Sequence, residues 1–223
     1  MAKSKVLKEL ANNEITLDVA LRRLLLICND LNYIELSTWA EKELNGYSDN
    51  EDVPEYRNLG VGQLLYSGLR GTVGTHLKIT NNPLPIQWIP KEYIDLICNN
   101  YERRTIGVII DRANGNSQYS ADLTSLRSVI NVGIAFTSII HKFDSSHYAE
   151  IANKVSNILL KIFMKLDKEY GNLDELDVDT SGKTEEHIKA FEQQLIIEIG
   201  EIKVINIGDD NTFKNTDVGV ETK

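Results

Sequence analysis

The densest run of side chains able to do chemistry lies between Trp39 and Arg57: Trp39-Ala-Glu-Lys-Glu43-Leu-Asn45-Gly46-Tyr47, then Val53-Pro54-Glu55-Tyr56-Arg57. A guanidinium such as that of Arg57 pairs bidentately with a carboxylate, here Glu43 or Glu55, or stacks on an aromatic face such as Tyr47 or Tyr56. Asn45-Gly46 reads as a left-handed helix end, with Trp39 inside the helix and Tyr47 just beyond it. Two readings follow. Either these groups lock a helix to its following loop, or Glu43, Asn45, Tyr47, Tyr56 and Arg57 form a functional surface.

Other chemistry is thinly represented. His76, His141, His147 and His187 are scattered, and none has a second ligand at metal spacing, so neither a metal site nor a cofactor is expected. Cys28 and Cys98 each sit in an apolar helical pattern and read as buried thiols. No Gly-x-Ser-x-Gly elbow occurs, and the glycines from Gly60 to Gly74 lack the Gly-Lys-Ser/Thr of a phosphate loop. Glu198 and Glu201-Ile-Lys203 echo the acid-x-Lys pair with which some nucleases hold a divalent ion. Acidic and basic residues alternating on one exposed strand face give the plainer reading. An enzyme is therefore the less favoured class.

Charge narrows the partners. Residues 1–166 balance 18 basic against 18 acidic side chains, whereas 167–223 carry 6 against 15, so the whole net charge of -9 lies in the last quarter. Nucleic-acid binding needs clustered Lys and Arg, which makes it an unlikely partner. The longest apolar stretch, from Val129 to Ile140, is well short of the roughly 20 residues of a membrane span. The opening Met-Ala-Lys-Ser-Lys-Val lacks the apolar core of a signal peptide, and a cytoplasmic location is expected.

The elements that must position these groups are predicted from periodicity. Three helices fill the start, broken at Asn12-Asn13, at Asn32 and at Asn45-Gly46. A glycine-rich section with short strands follows, then a helix from Tyr93 on through Ile109 to an end near Asn114-Gly115, a short helix near Leu123–Ile130 and a buried strand in 129–140. One long amphipathic helix runs from about Ser145 to Tyr170, with an N-cap at Asp144-Ser145-Ser146 and a C-cap at Gly171. The expected class is α+β: mainly helical, with a small glycine-rich β section and a β-prone tail. Residues 1–170 are read as the globular domain, 171–183 as an acidic linker and 184–223 as a short helix followed by an Asn/Gly-rich tail. Ile197, Ile199, Ile202, Val204, Ile205 and Ile207 alternate as in a strand whose apolar face needs covering, so a homo-oligomer through the tail is expected.

The run from Leu24 through Trp39-x-x-x-Glu-Leu-Asn-Gly-Tyr47 to Pro54-x-Tyr56-Arg57 resembles the AbiTii domain, a bacterial family associated with abortive infection. The Pro83-Leu-Pro85 loop and the helix ending Leu159-Leu160-Lys-Ile-Phe-Met-Lys-Leu-Asp-Lys-Glu169 fit the same domain over residues 4–170. The resemblance implies a part in bacterial conflict with phage, as a toxin-like effector or an assembly module, with another defence-system protein as a possible partner. It brings no catalytic residues. The alternatives are a toxin enzyme, either a metal-dependent nuclease or a nucleotide hydrolase, and an antitoxin-like regulator whose acidic tail masks a basic protein.

Overall fold

The computed structural model describes residues 3–72, 75–116, 119–171, 173, 174, 178, 180 and 182–200. The three N-terminal helices are α1 (Lys5–Ala11), α2 (Leu17–Leu31) and α3 (Ile34–Asn45). Helix α2 buries Ala20, Leu21, Leu24, Ile27, Cys28 and Leu31, the three- and four-residue recurrence of one helical face. It ends at Asn32, whose left-handed φ of 53° turns the chain into α3.

The β section is one antiparallel sheet in the order β2-β1-β4-β3, made of β1 (Gln63–Thr72), β2 (Thr75–Pro83), β3 (Tyr119–Asp122) and β4 (Ile134–Phe143). The register of β1 slips at Ser67/Gly68 against β4, and beside it at Tyr66/Gly68 against β2. A Cβ on Gly68 would lie 2.7 Å from the Ala135 carbonyl oxygen, so only glycine fits at this bulge. One sheet face carries Leu64, Tyr66, Phe136 and Ile139 onto Leu84, Ile89, Ile97, Leu126 and Ile130, forming a satellite core.

The main core is helical, and its axis is α6 (Ser145–Tyr170). Asp144 caps α6 by accepting a hydrogen bond from the Ser146 N–H at 3.0 Å, and Gly171 ends it at φ 85°. Tyr148, Ile151, Val155, Ile158, Leu159, Ile162, Phe163 and Leu166 are all buried along it. Each aliphatic side chain buried there contributes about 1.5–3 kcal/mol before entropy is counted. Helices α1, α2 and α5 (Ile106–Ala113) pack on this stripe.

Two predicted elements differ from the structure. The helix read from Tyr93 to Asn114-Gly115 ends where expected but is interrupted: α4 (Ile94–Cys98) stops, residues 99–105 run irregularly, and α5 begins at Ile106 and is capped at Asn114. The reason is competition from the 47–60 loop. Leu59 N–H donates to the Asn100 carbonyl at 2.8 Å, Glu102 N–H to the Arg57 carbonyl at 2.8 Å, and Tyr47 N–H to the Arg103 carbonyl at 2.7 Å. These bonds replace helical ones, and Ile97 and Ile109 serve different cores.

The second difference is at the tail. The alternation read from Ile197 is a 3-10 turn, Ile197–Ile199, continuing α7 (Glu185–Ile196). The helical face Phe191, Leu195, Ile196 and Ile199 is buried in the main core, and this spacing outweighs the strand-like one. Leu173 and Val178, within the stretch read as a linker, are buried in that core too. Ile202, Val204, Ile205 and Ile207 lie outside the described residues.

Candidate functional site

Helix α3 places Trp39 and Glu43 one turn apart on its buried face, and Gly46 then turns the chain at φ 87°. A Cβ at Gly46 would stand 2.8 Å from the Arg103 carbonyl oxygen, so the glycine lets the 99–105 segment lie against the helix end. Pro54 then leads into the 3-10 turn Glu55–Arg57. The two segments bring Glu43 and Arg57 together, each 0% exposed.

The contact is bidentate. Arg57 Nη2 donates to Glu43 Oε2 at 2.6 Å and Arg57 Nε to Glu43 Oε1 at 3.0 Å. The same Oε1 accepts the hydroxyls of Tyr47 at 2.8 Å and Tyr56 at 2.7 Å. Trp39 Nε1 donates to the Tyr56 oxygen at 2.8 Å. The remaining nitrogen, Arg57 Nη1, donates to the carbonyls of Glu102 at 2.8 Å and Arg104 at 2.7 Å, and the guanidinium lies 4.7 Å from the Tyr47 ring centroid. Burial opposes the charge of Arg57, but the hydrogen bonds to Glu43 and its negative charge outweigh burial and hold the guanidinium protonated. Burial first, then the Glu43 charge, pushes the Tyr47 and Tyr56 hydroxyls far above the ordinary phenol range.

Four of the five residues singled out in the sequence therefore meet, but they meet inside the molecule. Asn45 stands apart, exposed at the end of α3. The Glu43 carboxylate accepts four hydrogen bonds, and Arg57 has donated from all three nitrogens. Both groups are fully buried and paired with each other, so neither is open to a substrate. What the cluster does is fasten three chain segments: the end of α3, the 47–60 loop and the 99–105 crossing.

A second buried pair escaped sequence reasoning. Arg112 of α5, 4% exposed, pairs with Glu102, 6% exposed, and its guanidinium lies 4.7 Å from the Tyr119 ring centroid and 5.2 Å from that of Tyr148. On one continuous helix, positions 102 and 112 fall on different faces. The break at 99–105 is what lets them meet.

His141 of β4 is 1% exposed, with Nε2 against the Val61 carbonyl and its ring centroid 4.3 Å from that of Phe143. His147 pairs with Asp144 and His187 with Glu169, while His76 lies on exposed β2. Glu198 of the nuclease-like echo is bound to Lys161 at 3.0 Å and Lys165 at 2.7 Å, and these two lysines hold its carboxyl below the usual range. Glu201 and Lys203 lie outside the described residues. Among the described residues no helix is long and apolar enough to cross a membrane.

Fold and site together define an α+β protein whose most concentrated polar network is a fastening. A family model described as AbiTii matches residues 4–191, and the chain belongs to that family. Membership associates it with abortive-infection defence and carries the match past α6 into α7, beyond the 4–170 of the sequence resemblance. Neither a curated protein nor a solved structure matches.

Proposed function

We propose that this AbiTii protein is a non-enzymatic, cytoplasmic antiphage effector or assembly module that self-associates through residues beyond Gly200. One observation carries the reading. Ile197 is 63% exposed at the C-terminal end of the described chain, and the sequence continues with Ile202, Val204, Ile205 and Ile207. Apolar side chains repeated in that way need a cover, and a second copy supplies it symmetrically. The burial of Glu43 and Arg57 supports the non-enzymatic part, since the best acid–base candidates are paired with each other away from solvent.

The test is light scattering on the full chain beside residues 1–200. The cut belongs after Gly200 because α7 and Ile199 are buried in the core. The full chain is expected at an average mass above the monomer that rises with concentration, and the truncated chain at the monomer mass. Equal masses would overturn the assembly reading.

A further inference from the structure

A groove of about 670 Å³ lies where α6, the Glu55–Arg57 turn and the end of the Ile197–Ile199 turn meet. That volume is in the range of pockets that enclose a ligand. We propose that this groove is the docking site of the chain's own residues 201–207, and that docking restrains assembly by occupying part of the tails. The proposal rests on the reading that the tail drives self-association.

Three features of the groove point to this occupant. The first is apolar lining, supplied by Ile158, Leu160 and Ile199 beside Tyr56. The second is charge. Lys154 and Lys161 line it together with Glu55 and Glu198; Lys161 is bound to Glu198, whereas Lys154 is exposed and has no ion-pair partner among the described residues. The third is continuity. Gly200 is itself part of the lining, and its left-handed φ of 81° ends the helical run, so the next residue starts at the groove.

The sequence that follows, Glu201-Ile202-Lys203-Val204-Ile205-Asn206-Ile207, matches in kind: a carboxylate for Lys154, then apolar side chains for the lining. The segment is joined to its site with no linker, so its effective concentration is on the order of millimolar. A tail from another molecule competes only at the bulk protein concentration. Docking within the chain therefore competes with association and holds it to part of the molecules at a given concentration, and displacement of the segment exposes Ile202 and Val204 for association.

Paired cysteines test this directly. In a Cys98→Ser background, Asn157→Cys on the groove rim and Val204→Cys in the tail are oxidised in dilute full-length protein. A disulfide within one chain, mapped by peptide mass spectrometry, is expected; no disulfide, or one between chains, overturns the proposal. Lys154→Glu is the second arm. It should raise the assembled fraction several-fold at equal concentration, while the same substitution in residues 1–200 leaves a monomer of unchanged melting temperature. An unchanged or lower assembled fraction overturns the proposal, the lower one showing that the groove receives a second copy. If the full chain and residues 1–200 have equal mass, the assembly reading fails, and the cysteine pair alone then decides whether the tail docks.

Discussion

Glu43 and Arg57 were desolvated together, and their worth depends on staying together. Removing one partner strands the other in the interior, which costs about 3–5 kcal/mol. Arg57→Ala should therefore lower stability by about that amount in thermal or denaturant unfolding; a loss below about 1 kcal/mol would mean that water reaches Glu43. The pairing of these two residues was legible in the sequence, because carboxylate and guanidinium chemistry travels with residue type. The carbonyls of Glu102 and Arg104 that complete the guanidinium's partners were not, since a backbone oxygen leaves no trace in residue identity. His141 carries a pH effect at the same scale. Burial, outweighing its bond to Val61, lowers its pKa from the ordinary 6.5, and its buried Nδ1 has no hydrogen-bond partner among the described residues. The unfolded chain thus takes up this proton before the folded one does. Stability from this site is complete above about pH 6.5 and is lost as pH falls from there through the depressed folded value. His141→Gln keeps a donor towards Val61 and should flatten the fall of melting temperature between about pH 7 and pH 5.

Helices show which patterns a sequence exposes. Long stripes such as α2 and α6 were readable because apolar spacing repeats over several turns. The 93–109 region was misread because its break is imposed from outside, by a loop more than 40 positions earlier that competes for the Asn100 and Arg103 carbonyls. Helix α7 is positioned in a comparable way. Glu192, 7% exposed, accepts hydrogen bonds from the Glu35 and Leu36 N–H groups at 2.8 and 3.2 Å, and so caps the start of α3 with a side chain from another helix. Burial raises the Glu192 pKa against those bonds, so its ionised form is the one the fold penalises. Glu192→Ala should cost about 1–3 kcal/mol by leaving two amides unpaired, whereas Glu192→Gln, an acceptor without the charge, should unfold close to the parent. Equal losses for both would show that charge, not the acceptor, holds α3.

At the scale of the whole molecule, the buried core runs past Tyr170 through α7 to Ile199. A fragment ending at residue 182 loses Phe191, Leu195, Ile196 and Ile199 from the core together with the Glu192 cap, and should melt well below residues 1–200. Similar melting temperatures would show that α7 is an accessory. The opposite end is tied just as firmly. Ser4 N–H donates to Asp167 Oδ1 at 3.1 Å across 163 positions, Leu173 N–H donates to Ser4 Oγ at 3.1 Å, and Lys5 N–H donates to Asp174. That closure has a consequence for synthesis. A ribosome adds roughly 5–20 residues per second, so the first helix waits on the order of 10–30 s for the end of α6 to exist. Throughout that interval the faces of α1 and α2 that pack on α6 lack their partner. The fold closes only once α6 and the residues just beyond it have been made, so a message stalled before that point yields no closed core.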